Sequence, residues 1–159
     1  MLSEEQGQAL VRLARQEIEA RLGLRPAAAA GEDPVLGERR GVFVTLHRNR
    51  ELRGCIGSLA AVEPLAEGVR RNAINAAFHD YRFTPLTAAE LPELHIEVSV
   101  LSEPQPLITA DADDLVRRLR PGVDGVILRG PNGEQATFLP QVWQQLKRQN
   151  CIILQNMIL

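Results

Sequence analysis

Two cysteines in 159 residues, Cys55 and Cys151, stand far apart and in no CxxC pair. That leaves neither a zinc framework nor a secreted disulfide scaffold. The three histidines, His47, His79 and His95, show no ligand spacing, so no transition-metal site is expected. No basic excess is present either: 18 Lys and Arg against 20 Asp and Glu give a net charge of -2, without the basic footprint that phosphate-backbone binding requires. Nucleic acid is disfavoured as a partner. No stretch approaches the roughly 18 apolar residues of a membrane span. The acidic, polar start Met1-Leu2-Ser3-Glu4-Glu5 carries no secretory pattern, and a cytoplasmic location is expected. No Ser-His-Asp pattern, phosphate loop or GxGxxG fingerprint occurs, so hydrolase, nucleotide-transferase and dehydrogenase readings lack their mechanical parts, and no cofactor is expected. What remains is 45% hydrophobic and 24% charged residues, the composition of an ordinary globular domain.

The pattern along the chain predicts the elements. Ser3-Glu4-Glu5-Gln6 has the form of a capping box, and Leu10, Leu13, Ala14, Ile18 and Leu22 continue an apolar stripe, giving a helix over Ser3 to Leu22 that Gly23 can close. A Pro, Gly and Ala-rich stretch at about 23–36 reads as a surface connection. Gly41 to His47 and Leu52 to Ile56 flank the polar Arg48-Asn49-Arg50-Glu51 and predict a hairpin. A helix follows Pro64 and ends near His79, and Thr87-Ala88-Ala89-Glu90 is a second capping box. His95 to Leu101 alternates strictly, with Ile96, Val98 and Val100 on one face and His95, Glu97 and Ser99 on the other. Asp111 to Arg120 predicts a helix stopped by Pro121 and Gly122. Val123 to Leu128 and Ala136 to Leu139 predict a hairpin about Pro131-Asn132-Gly133, with a short helix from near Pro140. Strands arranged in hairpins predict an α+β fold, mostly antiparallel sheet flanked by helices, as one domain over 1–146 with a small subdomain.

Chemistry concentrates in Leu52-Arg53-Gly54-Cys55-Ile56-Gly57. Cysteine reacts as the thiolate, and nearby positive charge lowers its pKa. Arg53 supplies that charge, and Gly54 and Gly57 reduce steric bulk so that a ligand can approach the main chain. The competing reading makes Cys55 a buried small hydrophobe beside a bulge that needs glycine. A second cluster, His79-Asp80-Tyr81-Arg82-Phe83-Thr84-Pro85, leaves a helix end. The residue before a proline favours extended geometry, so an ordered extended strap is expected. There Asp80 and Arg82 face a ligand or pair structurally, and Glu97 lies on the polar side of its strand.

The LRGCIG run resembles the hallmark motif of the AMME-syndrome candidate-gene (AMMECR) family, whose microbial members are called AmmeMemoRadiSam system protein A. Further matches are Asn72, Ala76 and Ala77, Asp80 to Pro85, Glu97 to Ser102, Gly122 to Gly125 and Phe138 to Trp143. The resemblance covers about residues 3 to 146 and implies an α+β fold with a larger antiparallel domain and a smaller subdomain. It also implies a shared pathway or complex with a Memo-like protein and a radical SAM protein, and no settled reaction. Residues 147–159 do not match the family pattern, and read as a frameshifted or cloning-derived end or as divergence. An unpaired sheet edge and an apolar tail there favour self-association as a homodimer.

Two functions are consistent with these residues. In the first, Cys55 is a nucleophile or redox thiol, Arg53 stabilises it or an anionic small-molecule substrate, and Leu52, Gly54, Ile56, Gly57, Asp80, Arg82 and Glu97 line the pocket. In the second, the same surface docks a protein partner and performs no reaction.

Overall fold

The computed structural model describes residues 2–27, 29, 31–120 and 122–140. The stop at Pro121, the helix expected from near Pro140, Cys151 and the tail at 147–159 lie outside the described residues. Helix α1 spans Glu4–Arg21, and the capping box is formed: Gln6 N–H donates to Ser3 Oγ at 3.1 Å while Ser3 N–H donates to Gln6 Oε1 at 3.0 Å. Free amides of the first turn are thereby satisfied. At the other end Gly23 takes a φ of 76°. Its N–H bonds the Ala20 carbonyl and that of Leu24 bonds the Glu19 carbonyl, the paired bonds of a Schellman motif. The connection after it is mostly exposed but ends in a 3-10 turn at Pro34–Gly37, where the Asp33 carboxylate accepts from Val35 N–H and Val35 is buried. The Asp-Pro pair starts this turn, which composition alone does not distinguish from open coil.

Strands β1 (Val42–Arg48) and β2 (Glu51–Ser58) form the expected hairpin, joined by Asn49 and Arg50 at φ 52° and 67°. Two left-handed residues are what a type I′ turn requires. Strand β3 (Leu94–Val100) pairs with the other side of β1, giving a three-stranded antiparallel sheet in the order β2-β1-β3. Helix α2 (Leu65–Phe78) follows Pro64, which occupies the cap rather than the first turn. One sheet face carries Val42, Val44 and Leu46, all nearly inaccessible, against α1 residues Leu10 and Ile18 and α2 residues Val69 and Ala73. Buried Asn72 of α2 is not left unpaired: its Nδ2 donates to the Val42 carbonyl at 3.0 Å. Ile96, Val98 and Val100 pack against the same core, as their alternation predicts.

The chain divides into two compact units, Met1–Pro104 and Gln105–Leu159. The second contains α3 (Ala112–Arg118), capped by the Asp111 carboxylate, and a hairpin of β4 (Val126–Arg129) and β5 (Gln135–Phe138). Strand β4 starts later than its apolar run suggests, because Asp124 accepts from both the backbone N–H and the guanidinium of Arg120 and folds Val123 into a turn. Helices with antiparallel sheets make the fold α+β.

Candidate functional site

The two glycines that frame Cys55 are filled from opposite directions. A Cβ on Gly54 would lie 2.1 Å from the Ala76 carbonyl oxygen, so the missing side chain lets α2 rest on the backbone of β2. A Cβ on Gly57 would lie 2.2 Å from the ring of Phe43, its cross-strand partner, which covers that position. The room each glycine leaves is occupied by the protein's own atoms.

Cys55 faces Thr45 across the hairpin, and Thr45 in turn faces Glu97 of β3, so the three form one cross-strand row. Thr45 Oγ1 and Cys55 Sγ are 3.2 Å apart. The backbone groups of Cys55 point away from β1, toward the outer edge of the sheet. There its N–H donates to Asp80 Oδ2 at 2.9 Å, and its carbonyl accepts from Arg82 Nη2 at 3.1 Å. A carboxylate and a guanidinium thus do for β2 what a further strand would otherwise do.

Asp80, only 3% exposed, also accepts from Arg82 N–H at 3.2 Å, from Arg82 Nε at 2.9 Å and from Arg82 Nη2 at 2.7 Å. Phe83 N–H bonds the Asp80 carbonyl, so residues 80–83 form a tight turn. This corrects the expectation of a wholly extended strap: aspartate captures the amide two residues on and folds the chain there. The chain then continues outside helix and strand to Leu86, which is buried and donates its N–H to the Ala77 carbonyl at 2.8 Å.

Arg53 reaches the same strap. Its Nε donates to Glu90 Oε1 at 2.7 Å, and its Nη2 donates to Glu90 Oε2 at 3.3 Å and to the Thr84 carbonyl at 2.9 Å. The guanidinium carbons of Arg53 and Arg82 lie 5.9 and 5.5 Å from the Phe83 ring centroid, within cation–π range. Arg53 Nη1 is buried without a hydrogen-bond partner. The charge expected to act on the Cys55 sulfur is therefore paired with Glu90.

These pairings set the ionisation of the two acids. Hydrogen bonding from Arg82, helped by the Cys55 and Arg82 amides, outweighs burial and lowers the Asp80 pKa to about 2. Arg53, with the amide and hydroxyl of Thr87, likewise lowers that of Glu90 to about 2. Both are carboxylates throughout the ordinary pH range.

The structure brings Arg53, Gly54, Cys55, Asp80 and Arg82 together, with Glu97 two strands away, across Thr45, in the Cys55 row. Ile56 turns to the core, and Leu52, 42% exposed, sits near the hairpin end. No described histidine hydrogen-bonds Cys55. Glu90 and Thr45 were missed by sequence reasoning. The sequence pattern places Glu90 in a capping box, which it does form by reaching back to Thr87, and a single threonine in an apolar strand gives only a weak signal. Two shallow grooves, one along Glu4, Val11 and Arg12 and one between Glu17, Glu63 and Arg70, contain no residue of the 52–57 or 80–85 segments.

An α+β domain whose sheet edge is closed by side chains of a following strap, at an LRGCIG strand, defines the class. The chain belongs to the AMMECR1 family, whose model matches residues 11–158. It is 42% identical over 144 residues to a protein of Methanothermobacter thermautotrophicus, covering 89% of this chain and 74% of that one. A Thermococcus gammatolerans protein is 41% identical over 148 residues, with 89% and 71% covered. The crystal structure of the uncharacterized protein PH0010 from Pyrococcus horikoshii superposes with a TM-score of 0.80 at 35% identity, over 97% of this chain and 79% of that one. Among the described residues no helix is long and apolar enough to cross a membrane.

Proposed function

We propose that this chain is a non-catalytic protein-interaction module of a cytoplasmic pathway, docking a Memo-like or a radical SAM protein through the surface built by β2 and the 80–85 strap. The observation that carries this reading is the use made of the motif's charges. Arg53 is held by Glu90 and the Thr84 carbonyl, and Arg82 by Asp80 and the Cys55 carbonyl, so both cations are engaged in building the surface. A substrate-binding arginine would keep its fork free for an anion. The test is a binding titration of the purified chain with each purified partner from the same genome. Micromolar or tighter binding to either supports the reading, and no binding to both at the highest soluble concentration overturns it.

A second reading makes Cys55 a reactive thiol, favoured by the Thr45 hydroxyl 3.2 Å from its sulfur. It requires a lowered thiol pKa, against an ordinary value of roughly 8.5. Alkylation of Cys55 against pH in a Cys151→Ser background tests it. A midpoint about two units lower supports an activated sulfur, and an unshifted midpoint removes it.

A further inference from the structure

The histidines have no ligand spacing along the chain, yet the register of the sheet brings two of them together. His47 of β1 stands directly opposite His95 of β3. Both lie on the sheet face away from the helices, because their neighbours Leu46 and Ile96, also a facing pair, turn into the core. His95 is exposed and His47 half-buried, so solvent reaches the pair. In the next row of the same face Thr45 stands opposite Glu97, which sets a carboxylate diagonally across from His47. The strand arginines at this end of the sheet already have counter-charges: Arg48 is paired with Glu93 and Glu90, and Arg53 with Glu90. Arg50 sits in the turn beyond.

We infer that His47 and His95 form a two-histidine site for a zinc ion, with the Glu97 carboxylate accepting from an imidazole N–H or from a metal-bound water. Facing residues of an antiparallel pair hold their Cβ atoms about 5 Å apart. Two nitrogens on one tetrahedral zinc, each about 2.0–2.1 Å from it, lie about 3.3 Å apart, so the two imidazoles share the ion by leaning toward each other. The backbone under them needs no change, since β1 is bonded to a strand on each side. Imidazole nitrogen suits zinc, and a nearby carboxylate fixes the ring orientation of such ligands. Among the described residues no three His, Cys, Asp or Glu side chains are grouped as a complete cage, so the chain supplies two ligands and water the rest. An ion held in this way keeps positions open to an outside oxygen or nitrogen ligand.

The experiment titrates zinc chloride into the full, metal-free chain by calorimetry, as wild type, His47→Ala, His95→Ala, His79→Ala and Cys55→Ser. His79, exposed at the end of α2, is the control for a surface histidine in general, and Cys55→Ser for binding by the thiol. Wild type should take up one zinc per chain with a Kd on the order of 1–100 µM, the range that half the ligands of a four-ligand structural site would give. His47→Ala and His95→Ala should each weaken binding by about ten-fold or more, and the two controls should stay within about two-fold of wild type. Because His95 is exposed, His95→Ala should melt as wild type does without zinc, and zinc should raise the melting temperature of wild type but not of this variant. No saturable uptake at about 1 mM zinc overturns the site. Unchanged binding in either His47→Ala or His95→Ala also overturns it, and so does an equal loss in His79→Ala or Cys55→Ser, since the ion would then be adventitious or held by the thiol.

Discussion

The broad face of the sheet and its outer edge are held by different physics. On the face, Val42, Val44 and Leu46 meet α1 and α2 chiefly through apolar contact, with Gly54 bringing the α2 backbone against the strand. At the edge, four charged side chains, Arg53, Asp80, Arg82 and Glu90, bind a strap to β2 through hydrogen bonds. The face is indifferent to pH and intolerant of volume. The edge depends on ionisation. One six-residue motif serves both, because successive strand residues point to opposite sides and the backbone groups of Cys55 point along the sheet plane.

Changes aimed at one region and not the other sharpen this contrast. The largest expected effect is Gly54→Ala, whose Cβ would sit 2.1 Å from the Ala76 carbonyl oxygen. Overpacking against backbone should cost about 3 kcal/mol in a denaturant titration. A loss below about 1 kcal/mol would show that α2 can move away freely. Next is Asp80→Ala, which leaves the Cys55 N–H without its acceptor and the Arg82 guanidinium without its counter-charge. Removing one partner of a buried hydrogen-bonded pair should cost about 2–3 kcal/mol, somewhat less than for a fully buried pair because Arg82 is partly exposed.

Between the two regions, acid should act on the edge. The folded-state pKa values of Asp80 and Glu90 are lowered to about 2, against about 4 for unfolded acids. Their stabilisation is therefore complete above the unfolded value and lost as pH falls from about 4 to 2, on the order of 2–3 kcal/mol from each. Stability measured across that window should fall steeply in wild type and less in Asp80→Asn. Equal slopes would place the acid-sensitive groups elsewhere. The smallest effect is expected in the second unit. Asp124 is also lowered to about 2 by Arg120, yet that pair is solvent-exposed, and Arg120→Ala should barely move the melting temperature.

Local features were legible in the sequence and distant partnerships were not. The Ser3 cap, the Gly23 stop, the hairpin and the alternation of β3 each depend on residues a few positions apart, where turn chemistry and periodicity act directly. Adjacency in the chain links Arg53 to Cys55. Its actual partner, Glu90, lies 37 residues away, and only the fold brings them together. Local sequence makes the glycines look like space for a ligand, since nothing near them says that Ala76 and Phe43 arrive to fill it. The LRGCIG and Asp80 to Pro85 blocks, found separately, prove to be two halves of one hydrogen-bonded unit.

The outward bonds of Cys55 also bear on how the protein behaves at high concentration. An edge strand offers a row of unmet donors and acceptors to which a strand from another molecule can add, the first step toward aggregation. In the middle of β2 that row is already taken by Asp80 and Arg82, and an incoming strand would have to displace a buried carboxylate to pair there. The Asp80–Arg82 clasp therefore also acts as a guard on solubility, blocking one route to aggregation from within the folded state.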